Sequence, residues 1–238
     1  MCMSMAGEDK HFHYIINKDL ELCLLGEDDA QALFDLTEQN REHLRQWLIW
    51  VDNIETVDDA QRYIRSSLGQ FLERNGFQTG IWYRGTLSGI IAYQSVDWVN
   101  RSTTLGYWVG ASCQGKGLVT KACSALVDWA FREWSLNRVE IRCATGNDRS
   151  RAIPERLGFT QEGILRRAEW LYDHFADLVV YSMLAEEWRE RNKADQPTID
   201  HRPLTTGPLQ DRASPTRAHG RKPLLHAEHQ RRVSPHRA

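Results

Sequence analysis

Residues 107–122 read YWVGASCQGKGLVTKA, and the rest of the chain is best read outward from them. Upstream, LGYWVG at 105–110 alternates as a strand does. Downstream of Gly117, the residues Leu118, Ala122, Ala125, Leu126 and Trp129 share one face at helical spacing. The connection between the two, Gln114-Gly115-Lys116-Gly117, puts two glycines where a strand hands over to a helix. Glycine has no Cβ, so it adopts left-handed backbone angles freely and lets its amide approach a ligand. Amides that converge at the positive end of a helix dipole form a nest for anionic oxygen. The segment therefore suggests a pyrophosphate site. It matches neither the P-loop, G-x-x-x-x-G-K-[ST], nor the dinucleotide fingerprint G-x-G-x-x-G, and on spacing alone a plain turn fits equally well.

Before this segment, Glu21–Gly26 reads as a short strand. Ala30, Leu33, Phe34 and Thr37 keep helical spacing, and Leu44, Trp47, Leu48 and Val51 repeat it in a second short helix that places Trp47 on the apolar face. Thr56, followed by Asp58 and Asp59, marks a helix start that runs to Asn75-Gly76. Residues 77–83, 87–96 and 103–109 predict three strands joined by turn-length links, an antiparallel meander. After the Gly117 helix come a strand at 138–143, a short helix at 147–157 closed by Gly158, and strands at 159–166 and 178–184. The order β, α, α, α, β, β, β, α, β, α, β, β predicts an α/β (α+β) mixed sheet with helices on both faces.

The 238 residues allow one substantial core plus an appendage. No stretch approaches the roughly 20 apolar residues of a membrane span, and the amino terminus lacks the apolar core of a signal peptide, so a cytoplasmic location is expected. Five cysteines without C-x-x-C spacing suggest reduced thiols, with neither a disulfide framework nor a metal site. His11, His13 and His174 read as surface residues. Residues 193–238 carry nine Lys/Arg against four Asp/Glu and no Phe, Trp or Tyr. Such a segment cannot bury enough apolar surface to offset its ordering entropy, so it is expected to be a disordered, basic, Pro/His-rich tail beside a domain at 1–192. It has no aromatic interleaving and no dense charge run, so direct nucleic-acid binding is not expected.

With CATGNDRSRAIPERLGF at 143–159, the opening segment resembles the GNAT acetyltransferases, and within them the RimJ/RimL group that acetylates amino termini of ribosomal proteins. The likeness runs from about Leu20 to Trp188 on two motifs in order: Q-x-x-G-x-[GA], and N-x-x-S before LGF. Val119 departs from the last position of the first motif, although its amide is unaffected by the side chain. The resemblance implies the GNAT fold, a mostly antiparallel twisted sheet splayed at its middle, and acetyl-CoA as cosubstrate with no metal. It places the pyrophosphate on the amides of Gly115, Gly117, Val119 and Thr120, with Lys116 contributing charge and Gln114 and Leu118 counted among the cofactor-binding residues. It also implies that a β-bulged strand Tyr107-Trp108-Val109 splays from 140–143 to admit the pantetheine arm, and that Asn147 and Ser150 contact that arm. Similar enzymes form dimers, so a homodimer is compatible.

Acetyl transfer to an amine needs a neutral nucleophile and a proton for the departing thiolate. An α-amine with a pKa of about 8 is partly neutral already, whereas a lysine near 10.4 must lose about 2.5 units, roughly 3.4 kcal/mol. A modest carboxylate suffices for the first, which favours a protein amino terminus over a lysine as acceptor; a small amine remains the alternative. The resemblance makes Glu169, expected in the loop before the last strand, the base. Cys143 and Ser150 compete as the proton donor, and Trp50 and Trp170 are expected to line the acceptor pocket. A silent acetyl-CoA-binding module is the rival from another class.

Overall fold

A computed structural model describes residues 12–194. Among these residues eight strands form one sheet in the order β1-β2-β3-β4-β5-β6-β8-β7. They are β1 (His13–Asn17), β2 (Leu20–Leu24), β3 (Phe77–Tyr83), β4 (Thr86–Asp97), β5 (Ser102–Val109), β6 (Arg138–Ala144), β7 (Thr160–Leu171) and β8 (His174–Leu184). The helices are α1 (Ala30–Gln39), α2 (Arg41–Arg45), α3 (Val57–Leu72), α4 (Leu118–Arg132), α5 (Asp148–Leu157) and α6 (Ala185–Ala194). The meander and the mixed sheet are as the alternation predicts.

Alternating residues of the strands feed two cores, because successive side chains of a strand leave on opposite faces. Leu22, Phe77, Ile91, Tyr93, Leu105, Val139 and Ile141 pack with the apolar stripe of α4, whose Ala122, Cys123, Leu126 and Val127 are buried. On the other face Ile90 and Trp108 pack with Leu33 of α1 and Ala60 and Ile64 of α3. Thr56 caps α3 through a reciprocal box with Asp59, whose backbone N–H donates to Thr56 Oγ1 at 3.2 Å. Asn147 caps α5 by accepting from the Ser150 amide at 3.1 Å.

Among the described residues only the β5–β6 pair is parallel, and it is short: Ser102–Leu105 pair with Arg138–Ile141. Beyond that point β5 continues against β4 through Val109, and β6 continues against β8 through Ala144. The two inner edges diverge from Leu105 and Ile141 onward, and their backbone groups face a gap. The bulge expected in Tyr107–Val109 lies instead in β4, where Tyr93 pairs Leu105 and Val96 pairs Thr103.

Other departures are local. The second short helix is only Arg41–Arg45, followed by a separate 3-10 turn at Ile49–Asn53, and Trp47 falls in the link between them. Helical spacing survives across a break of this kind, so periodicity alone reads it as one helix. Strand β1 and helix α6 were not anticipated. Strands β7 and β8 run on to a tight hairpin at Tyr172-Asp173, so Glu169 sits in β7 opposite Ala176 and not in a loop. The polar run RRAE hid the strand, because the partners diverge between Leu165 and Glu169 and break its alternation. The expected 192/193 boundary falls within α6, and residues 195–238 of the tail lie outside the described residues, as does His11.

Candidate active site

A cleft of about 1850 Å³ runs through the divergence of β5 and β6. Its lining includes Trp50, Tyr107, Trp108, Val109, Gln114, Gly115, Gly117, Leu118, Val119, Thr120, Cys143, Asn147, Ser150 and Glu169. Residues of strands β5, β6 and β7, of helices α4 and α5 and of the connecting loops are thus brought to one opening.

At one end stands the start of α4. Gly115 and Gly117 have φ of +73° and +71°, the left-handed region, and a Cβ at either would meet no atom within 4 Å. Gly117 is the N-cap and no side chain caps the helix. The first backbone bond closing onto the cap is Lys121 N–H to Gly117 O, at 3.1 Å. The amides of Leu118, Val119 and Thr120 precede it and are left as donors at the positive end of a 15-residue helix. Val119 buries its side chain in the core while its amide stays in this first turn, so the departure from the small-residue motif costs no donor. Lys116 does not line the cleft; its Nζ lies 5.5 Å from the centre of the Tyr83 ring.

The connection before α4 is pinned from several sides. Asn40 Oδ1 accepts from the Ala111 amide at 2.8 Å. Gln114 Nε2 lies 2.6 Å from His43 Nε2, and the Gln114 carboxamide oxygen accepts from Arg149. Arg156 Nη1 donates to Thr120 Oγ1 at 2.8 Å. Sequence reading missed Arg149 and Arg156, whose seven-residue spacing puts both on one face of α5.

Where the strands part, three protic groups meet. Cys143 Sγ lies 3.2 Å from Ser150 Oγ, Ser150 Oγ donates to Tyr107 Oη at 3.4 Å, and Tyr107 Oη donates to the Ser150 carbonyl at 3.0 Å. Burial pushes the Cys143 thiol above its ordinary pKa, and burial likewise raises Tyr107 well above the phenol range. Both stay protonated at neutral pH. The sequence reading used only the backbone of Tyr107; its hydroxyl is the unforeseen member, and the alternation that points Tyr107 and Cys143 to the α4 face was the signal available.

Glu169, half-buried, lines the same cleft, and burial raises its carboxyl above the usual range. A carboxylate with little solvation is a stronger base than an exposed one. Trp50 stacks on Tyr63 at 5.7 Å and leans on Trp108 at 5.9 Å, forming an aromatic wall. Trp47, expected in the core, lines the cleft as well. Trp170 does not: it is 48% exposed and packs edge-on against Phe175 at 4.8 Å.

A nest of amides, a gap between strands, a shielded carboxylate and a set of protic donors suit acyl transfer. The sequence matches the acetyltransferase (GNAT) domain over residues 19–160, and the chain belongs to that family and is an acyltransferase. It is 39% identical to YdaF of Bacillus subtilis (strain 168) over 174 residues, 73% of this chain and 95% of that protein. It is 27% identical to the ribosomal-protein-serine acetyltransferase of Escherichia coli (strain K12) over 173 residues, 72% of this chain and 96% of the relative. Among solved structures, the microcin C7 self-immunity acetyltransferase MccE, in complex with acetyl-CoA and AMP, superposes with a TM-score of 0.69 at 28% identity, covering 71% of this chain and 94% of that one.

Proposed function

We propose that this enzyme transfers acetyl from acetyl-CoA directly to the α-amine of a protein amino terminus. The observation that carries the reading is the uncapped, glycine-preceded start of α4 opening onto a cleft that leads, between β5 and β6, to Cys143, Ser150, Tyr107 and Glu169. Gly115, Gly117, Leu118, Val119 and Thr120 offer backbone donors to the diphosphate. The free edges of residues 106–109 and 142–144 suit an extended pantetheine arm that pairs as an added strand. The Asn147 oxygen is committed to its cap, which leaves the NH2 group to donate to a carbonyl of the arm.

Glu169 takes a proton from the acceptor ammonium. The amine then adds to the thioester carbonyl, the C–S bond breaks, the departing thiolate takes a proton from Ser150, and the proton that the nitrogen sheds in becoming an amide restores the Ser150 hydroxyl, with Cys143 and Tyr107 completing the hydrogen-bonded set. Cys143 is no nucleophile here, because its thiol is held protonated. The α-amine is favoured because a single half-buried carboxylate is the base at hand and because the Escherichia coli relative is named for a ribosomal protein. The aromatic wall of Trp47, Trp50 and Trp108 supports a small amine as the second reading. The chemistry is assigned to the domain at 1–192 and to the cytoplasm.

Steady-state assays with acetyl-CoA against ribosomal-protein amino-terminal peptides and against small amines test this. Turnover of peptides by their α-amine is expected. Turnover of small amines alone would overturn the acceptor assignment, and absence of saturable acetyl-CoA binding in calorimetry would overturn the donor.

A further inference from the structure

Two guanidinium groups of α5 stand at the cleft without acidic partners. Arg151 of the same helix pairs with Asp148 and Glu155 at 3.5 and 3.7 Å. Arg138 and Arg142 on β6 both pair with Glu140. Among the described residues, no carboxylate lies within ion-pair distance of Arg149 or Arg156, and both line the cleft. They are seven residues apart, two turns or roughly 10 Å along the axis, with Ala152 and Ile153 between them on the same lining face. Cations kept unpaired on the wall of a cleft suit a ligand that brings its own negative charge.

Their anchors assign them different neighbours. Arg149 is held by Gln114, at the entry to the glycine nest. Arg156 is held by Thr120, the third residue of α4, so its guanidinium lies on the flank of that helix and off the axis where the nest amides point. Helix α5 also runs away from the reacting end: its start holds Asn147 and Ser150, and Arg156 lies nine residues beyond Asn147, roughly 13 Å along the helix. A donor with its thioester beside Ser150 and its diphosphate at the nest carries its nucleoside further out. Coenzyme A bears there a third phosphate, the 3′-monoester, with a charge of about −1.5 to −2 at neutral pH.

We propose that Arg156 forms a separate phosphomonoester subsite that reads the 3′-phosphate of the donor, while Arg149 serves the diphosphate. The inference rests on the acetyl-CoA reading above. A guanidinium fork suits a phosphate because it donates two parallel charge-assisted bonds.

The test compares acetyl-CoA with acetyl-3′-dephospho-CoA, which shares the thioester and the diphosphate, in the parent, Arg156→Ala and Arg149→Ala. The parent is expected to prefer acetyl-CoA by about 10- to 100-fold in kcat/KM, carried by KM. Arg156→Ala is expected to shrink the preference to about threefold or less by losing efficiency with acetyl-CoA. Arg149→Ala is expected to weaken both donors alike and keep the preference. Both residues are exposed, so unchanged circular dichroism and melting temperature exclude misfolding as the cause. Equal use of the two donors by the parent, or a preference that survives Arg156→Ala, overturns the inference while leaving the acetyl-CoA reading standing. Calorimetry that detects binding of neither donor overturns both.

Discussion

At the scale of the residue, the base proposed for the reaction, Glu169, carries a local cost. Burial raises its pKa, so the charged form that this role requires is the form the fold disfavours. The sign follows: the folded state holds the proton more tightly than the unfolded chain, so this carboxyl detracts from stability above its folded pKa and ceases to do so as pH falls below the unfolded one. Glu169→Gln is therefore expected to melt at or above the parent temperature at neutral pH while kcat falls about 100-fold or more, with acetyl-CoA KM nearly unchanged. A pH–rate profile that keeps its acidic limb in the variant would remove Glu169 from the mechanism. Ser150 and Cys143 separate in the same way. Ser150→Ala is expected to lower kcat by roughly 10- to 100-fold. Cys143→Ala should retain most activity, and mass spectrometry of parent enzyme incubated with acetyl-CoA alone should find no acetylated Cys143.

At the scale of the element, α4 lacks a side-chain cap at the end proposed to hold the donor. Thr56 and Asn147 close the starts of α3 and α5, whereas α4 begins on a left-handed glycine with its first amides free. Gly117→Ala forces a Cβ into that conformation, which costs about 1–2 kcal/mol. It is expected to lower stability in urea titration and to raise acetyl-CoA KM. Thr56→Ala, by contrast, should cost about 1 kcal/mol and leave KM alone. The start of α4 was legible in the sequence because its signals are local: alternation, two glycines, then a helical stripe. The divergence of β5 from β6 was inferred only through the resemblance, since it depends on pairing between segments more than 30 residues apart. The β7 extension was illegible for another reason, because an edge strand exposed on both faces keeps no hydrophobic alternation. The arginines of α5 were passed over because a charge on a short helix looks the same in sequence whether it meets solvent or a phosphate.

At the scale of the whole molecule, the described residues include every residue of the proposed site. The matched region spans 95% of YdaF and 96% of the Escherichia coli relative while taking in less than three quarters of this chain. Removal of residues 195–238 is accordingly expected to leave kcat and both KM values within about twofold, checked with the same peptide assay. Among the described residues no helix is long and apolar enough to cross a membrane.

The short parallel pairing has a further consequence. Past Leu105 and Ile141 the sheet is missing a rung, and the two halves on either side are joined there only by whatever occupies the space. A bound donor would supply that rung and zip the halves into one continuous ladder. Deuterium uptake at the amides of 106–109 and 142–144 is expected to slow on adding coenzyme A, while amides deep in the β3–β4 hairpin keep their rates.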